Sequence, residues 1–190
     1  MNQRRHSHAA FTLIELLTVV AIIGILAALI FPAIKKALEK AEITKATTEV
    51  NAIETAWKAY FNEYGKWPCS PSSPFACLSG SGPQNGPEDG TGVIFDHAFV
   101  SLMQGRTVDD APYQAAQDNP KGVSFLNISA KSIKGGNYID PWGQPYRMKF
   151  DLDYDNIVKT NSSGGVTNTV MVWSYGPDGQ NNTKDDVRSW

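Results

Sequence analysis

Hydrophobic and polar positions divide this chain into three regimes. From Phe11 to Phe31 the residues are apolar almost without interruption, 21 positions with one ionisable side chain, Glu15. As a helix such a run is ~31 Å long, enough to cross a bilayer. After Pro32 the pattern becomes amphipathic. Ile34, Leu38 and Ala41, then Ala46, Val50, Ile53, Trp57, Tyr60 and Tyr64, recur at spacings of three, four and occasionally five, with Lys, Glu and Thr between them. This is a helix with one buried stripe. Gly65 ends it and Pro68 forbids its return. The predicted element, 11–64, is about 80 Å long if unbroken, far more than a small domain needs for itself. Gly24 and Pro32 are its weak points, one through backbone freedom and the other through a missing donor.

Beyond the helix the pattern shortens. Residues 65–92 are dense in Pro, Gly and Ser and predict a loop. Val93–Met103 predicts a short helix with Phe95, Phe99 and Leu102 on one face and Gly105 as its stop. A turn at Asn119–Gly122 precedes a predicted short strand, Val123–Leu126, and residues 130–137 are polar and Gly-rich. Tyr138–Arg147, with Asp140-Pro141-Trp142-Gly143, reads as a tight turn feeding a strand. Arg147–Asp155 alternates, with Met148, Phe150, Leu152 and Tyr154 against Lys149, Asp151, Asp153 and Asp155. Asn161–Gly165 is a turn, and Thr169–Tyr175 alternates again, Val170, Val172 and Ser174 against Met171, Trp173 and Tyr175. The expected fold is α+β: a small antiparallel sheet of about three strands packed on the polar-flanked half of the long helix.

The 190 residues are 42% hydrophobic and 19% charged, which excludes disorder by composition. The formal net charge is −2; without Arg4 and Arg5, 15 basic residues face 19 acidic ones, giving −4. That balance argues against a sequence-independent grip on nucleic acid, which needs clustered Lys and Arg. Lys35, Lys36 and Lys40 follow the apolar run and Arg4 and Arg5 precede it, so positive charge flanks both ends. The cysteines favour placing residues 65–190 outside the cytoplasm. There Cys69 and Cys77 would pair and close a nine-residue loop, worth roughly 2–3 kcal/mol. The competing reading, a metal pair, lacks two further Cys or His nearby.

Glu15 is the chemical anomaly. A charge inside a membrane span costs about 2.5–3.5 kcal/mol on insertion scales, and no partner lies within the run. Cleavage of the basic leader, residues 1–10, between Ala10 and Phe11 would create one: a free α-amine on Phe11, neutralised by Glu15 of a neighbouring subunit. An ordinary secretory signal cut near Pro32-Ala33, or a plain single-span anchor, leaves Glu15 unexplained.

Ala10-Phe11-Thr12-Leu13-Ile14-Glu15-Leu16, the basic leader, and Gly24 and Pro32 within the helix resemble the class III signal of type IV pilins and type II secretion pseudopilins. The resemblance implies a pilin-like fold, cleavage before Phe11 by a prepilin peptidase, methylation of the new amine, and polymerisation through the helix, which yields near Gly24 and Pro32. The family usually has Gly before the cut; here it is Ala10. It further implies a single-pass protein of the bacterial inner membrane, 11–31 spanning and 65–190 in the periplasm. Its partners would be copies of itself, an inner-membrane assembly platform and minor pseudopilins.

The last stretch, Gly176–Val187, is a loop with acids at both ends. Asp178 and Asp185 are seven apart with Asp186 adjacent, so a loop that folds back brings three carboxylates together. That is calcium chemistry, although an Asn/Asp/Gly surface loop looks the same. Glu63-Tyr64-Gly65-Lys66-Trp67-Pro68, Asp140–Tyr146, Ser174–Gly179 and Asp185–Trp190 resemble the major pseudopilins of type II secretion. That resemblance implies calcium held by Asp178, Asp185 and Asp186 with a carbonyl such as that of Tyr175. A second acidic series, Asp151-x-Asp153-x-Asp155-Asn156, imitates the first half of an EF-hand loop. It has Asn156 where Gly is needed and Ser162 where a bidentate Glu is needed, and reads as the solvent face of a strand.

The leading functional expectation is a structural subunit of a type II secretion pseudopilus. The alternatives are a type IV pilus subunit for adhesion, motility or DNA uptake, and a membrane-tethered binding or enzymatic domain. The enzyme class lacks a reactive constellation. His97 is the one histidine outside the leader, and no His/Cys cluster or phosphate loop is present.

Overall fold

A computed structural model describes residues 12–68, 92–105, 118–151, 154–159 and 165–190. The leader, Ala10, Phe11, Cys69, Cys77, Leu152, Asp153 and Ser162 lie outside them, so the expectations attached to those positions are not addressed by it.

Helix α1 runs Leu13–Tyr64, through Gly24 and Pro32. Gly65 closes it in the left-handed region (φ +66°), its N–H donating to Phe61 O at 2.7 Å. The chain divides into two units, Met1–Ala41 and Glu42–Trp190. In the first, the large apolar residues of the helix from Leu13 to Leu38 are exposed.

In the second unit the stripe Ala46, Val50, Ile53, Trp57 and Tyr60 is fully buried, as its spacing predicts. The elements that follow the helix in this unit are β1 (Val93–Ile94), α2 (His97–Gln104), β2 (Ile133–Lys134), β3 (Asn137–Tyr138), β4 (Arg147–Phe150), β5 (Ile157–Lys159), β6 (Gly165–Thr167), β7 (Val170–Ser174) and β8 (Val187–Arg188). The main sheet is antiparallel in the order β1-β4-β7-β8; β2-β3 and β5-β6 form separate two-stranded sheets. The α+β class is therefore as expected, with four strands in the main sheet rather than three.

Trp57 organises the core. Its ring lies edge-on to Phe150 at 4.8 Å and to Tyr60 and Phe99, each at 5.6 Å, with Trp67 and Phe95 within 6.4 Å. Val170 and Val172 join this core, while Met171 and Trp173, alternating with them on β7, pack with Val158 on the opposite face. Both faces of the sheet are thus covered, and this buries Lys149, which pairs with Met171 across the ladder. The polar side expected of Arg147–Asp155, with Lys149 on it, is corrected accordingly.

Three local expectations also change. Val93 and Ile94 are a strand; the helix starts only after Asp96, whose carboxylate accepts the N–H groups of Ala98 and Phe99 at 3.0 and 3.2 Å. Val123–Leu126 is not a strand. It is tied to the end of α2 by the N–H groups of Phe125 and Leu126, both donating to Met103 O. Strand β4 stops at Phe150, because Asp151 turns inward and accepts the N–H groups of Asp155 (3.2 Å) and Asn156 (2.8 Å), with Tyr154 and Asn156 at positive φ. Asp151 is buried and caps a turn instead of facing solvent on a strand.

Candidate functional site

Two places concentrate the candidate residues. The first is the start of α1. Thr12 N–H and Oγ1–H both donate to Glu15 Oε2, at 2.9 and 2.7 Å, and Glu15 N–H returns to Thr12 Oγ1 at 3.3 Å. This is a capping box: two otherwise orphaned helix donors are satisfied reciprocally. Hydropathy leaves Glu15 without a partner inside the run; the structure supplies Thr12, and the Thr-x-x-Glu spacing was the signal that could have found it. The helix behind it has exposed aliphatic side chains at Ile14, Leu17, Val20, Ile22, Ile25, Leu29 and others, a surface that needs lipid or other helices to cover it. Gly24 has open space around its Cα. By length and composition this is the one helix among the described residues able to cross a membrane.

The second place is the loop between β7 and β8. Gly176 and Gly179 take left-handed conformations (φ +66° and +65°), as does Asn182 (φ +65°). They fold the loop back so that Asp178 N–H donates to Asp185 Oδ2 at 3.1 Å and Asn182 N–H donates to Asp186 Oδ2 at 3.0 Å. Asp178 Oδ1 accepts Gln180 N–H at 2.8 Å. The loop thus folds back far enough for the Asp178 amide to reach the Asp185 carboxylate.

Thr183 sits among them. Its Oγ1 lies 3.1 Å from Asp186 Oδ1, 3.3 Å from Gln180 O and 3.4 Å from Asp178 Oδ1. Its hydrogen bond to Asp185, with smaller help from backbone N–H groups, holds that carboxyl below the usual range. One hydroxyl proton cannot satisfy several acceptors, so the loop carries a surplus of oxygen lone pairs, the donor type a hard cation takes. Two observations limit the set. Among the described residues no three His, Cys, Asp or Glu side chains are already spaced as a metal cage. Asp186 Oδ2 is also engaged by Arg188 at 2.7 Å. The acidic oxygens of the loop outside the Arg188 ion pair are therefore those of Asp178 and Asp185 and Oδ1 of Asp186. Of Tyr175 the structure shows the ring, lying 4.6 Å beneath the Arg147 guanidinium.

Behind this loop is a buried carboxylate that sequence reasoning missed as such. Asp140 Oδ1 accepts the N–H groups of Trp142 (3.0 Å) and Gln144 (2.8 Å), and Oδ2 accepts the Ser174 hydroxyl. Burial pushes the Asp140 carboxyl up, against the opposing pull of Ser174 and these backbone donors. The Asp-Pro-Trp-Gly turn was legible as a turn; that its acid faces inward to β7 was not.

Residues 5–31 match the family model described as the prokaryotic N-terminal methylation motif. Along its full length the chain is similar to type II secretion system core protein G of Aeromonas hydrophila, 26% identical over 195 residues covering 100% of this chain and 96% of the relative. The protein of the same name from Dickeya chrysanthemi is 26% identical over 180 residues, 95% of this chain and 84% of the relative. The type IV major pilin protein PilA of Myxococcus xanthus is 38% identical over 106 residues, 56% of this chain and 44% of the pilin. The resemblance to pilins and major pseudopilins drawn from sequence motifs is thereby borne out.

Proposed function

We infer that this chain, a full-length relative of the type II secretion core protein G proteins, is a structural subunit of a type II secretion pseudopilus that helps move folded proteins across the outer membrane. The observation that carries this is the conjunction of a methylation motif over residues 5–31 with similarity that continues to the end of the globular unit. The pilin match covers less than half of that pilin, so the type IV pilus reading has weaker support.

In this reading a prepilin peptidase cuts between Ala10 and Phe11, and the new amine is methylated. The apolar helix resides in the inner membrane before assembly and against copies of itself afterwards. Residues 65–190 face the periplasm, and the assembly platform and minor pseudopilins are the partners. The subunit works by packing and is not an enzyme. Calcium is part of the same proposal. Asp178 and Asp185, with one oxygen of Asp186, would hold it and supply the negative charge, and the ion would neutralise carboxylates that otherwise repel one another.

Intact mass and N-terminal sequence of the protein from membranes of its native host test the reading. A chain beginning at methylated Phe11 supports it. A chain beginning at Met1 or beyond Pro32 overturns it. Deleting the gene separates the two filament roles: lost exoprotein secretion supports the pseudopilus, and lost surface fibres with intact secretion supports the pilus.

A further inference from the structure

We propose that Ser174 is the positioning residue of the terminal acidic loop, relaying the place of the buried Asp140 carboxylate to the Asp185 end of that loop. The proposal rests on the cation reading above and adds to it a residue that is not itself a ligand.

Ser174 is the last residue of β7 and is fully buried. Its hydroxyl donates to Asp140 Oδ2 and accepts Gly176 N–H at 3.0 Å. A hydroxyl has one proton; giving it to Asp140 aims the lone pairs at the Gly176 amide. Gly176 in turn touches the far end of the loop. A Cβ there would lie 2.2 Å from Asp185 O and 3.1 Å from Asp185 Oδ2. Asp185 Oδ2 then accepts Asp178 N–H at 3.1 Å. The series Asp140–Ser174–Gly176–Asp185–Asp178 is therefore continuous from the core to both acidic ends.

Asp140 is itself immobilised by the Trp142 and Gln144 amides, and Gly143 N–H closes the turn on Asp140 O at 3.1 Å. The same two segments also run close together at a second point, where a Cβ added to Gly179 would lie 3.6 Å from Gln144 Nε2. The Asp140–Gln144 turn and the Gly176–Asp185 loop, far apart in sequence, are thus linked through the Ser174 hydroxyl. Without the Ser174 hydroxyl, a buried carboxylate oxygen and the Gly176 amide both lose their partner, and the loop's acidic ends lose their common reference.

The test uses the full chain in detergent micelles. Calcium is titrated calorimetrically into the wild type and Ser174→Ala, and amide hydrogen exchange is recorded for both in EGTA. The expected result is calcium binding weakened about tenfold or more in S174A, the consequence of two lost buried hydrogen bonds. Faster exchange should be confined to residues 176–186, with β4 amides protected as in the wild type. Unchanged calcium affinity in a folded S174A overturns the proposal. If the wild type binds no calcium, the cation reading fails, and exchange in EGTA alone decides the relay: selective loosening of 176–186 upholds it and an unchanged profile sinks it. Should S174A not fold, Ser174→Cys, close in size but a weak donor and acceptor, carries the same comparison.

Discussion

The hydroxyl of Tyr146 donates to Glu49 Oε2 at 2.6 Å, joining the start of the sheet to the long helix 97 positions earlier in the chain. Tyr138 also hydrogen-bonds Glu49, and Lys45 stands 3.9 Å from its other oxygen. Both phenols are pushed far up by burial and by the neighbouring carboxylate, so they remain donors at any physiological pH. Tyr146→Phe keeps the packing and removes one charge-assisted donor. It should lower stability by about 1.5–3 kcal/mol, read as a shift of the urea midpoint with unchanged slope. A variant as stable as the wild type would show that water replaces the bond at no cost.

Trp57 holds helix and sheet together through five aromatic neighbours. Trp57→Ala leaves a cavity that rigid rings cannot fill, and should cost about 3–5 kcal/mol. Near-UV circular dichroism should collapse at a lower temperature than in the wild type, while the helical signal of residues before Glu42 persists. Loss of less than about 1 kcal/mol would mean that the aromatic cluster repacks.

Gly176→Ala is the sharpest probe of the loop's backbone. The residue sits at φ +66°, and the added methyl would meet Asp185 O at 2.2 Å. Strain of about 1–3 kcal/mol is expected, seen as a lowered thermal midpoint. Gly24→Ala, where a Cβ meets nothing within 4 Å, should leave the midpoint of the globular unit unchanged.

Asp140 predicts a pH dependence of definite sign. Its folded pKa is raised above the ordinary aspartate value, chiefly by burial. A raised pKa means a contribution to stability fully present below the unfolded value and lost as pH rises through the folded one. The stability difference between wild type and Asp140→Asn should therefore be most favourable to the wild type below the ordinary aspartate pKa and decline as pH rises through the raised one. Asp185 is shifted the opposite way, so its contribution is present above its unfolded pKa and is lost as pH falls through the folded one. The double comparison with Asp185→Asn separates the two. A difference between wild type and D140N that is flat with pH would contradict the burial argument.

Calcium removal should lower the thermal midpoint, since an ion bound only by the folded chain stabilises by mass action. EGTA should shift the wild type down and leave an Asp178→Ala/Asp185→Ala double variant unmoved. Equal midpoints of the wild type with calcium and with EGTA would remove calcium from the proposal.

Much of this protein was written at the level of pattern. The apolar run, the amphipathic stripe from Ala46 to Tyr60, the stop at Gly65 and the turn at Asp140–Gln144 depend on local spacing and residue type, and the structure reproduces them. Local signals that went unread were also there: Thr12-x-x-Glu15 as a capping box, and Gly135-Gly136, both at positive φ, as the turn of the β2–β3 hairpin. What the sequence could not yield is whatever depends on which segment covers which face. Val93 and Ile94 become a strand because β4 offers an open edge. Lys149 is buried because the second face of the sheet is also covered. Asp140 and Ser174 meet across 34 positions only because β4 and β7 pair in one particular register. By itself the sequence determined the helix, its membrane-length run and the acidic loop, since each is specified within a few turns of chain. Tertiary structure alone decided how that loop is anchored, because long-range pairing, not local propensity, chooses the neighbours of a buried polar group.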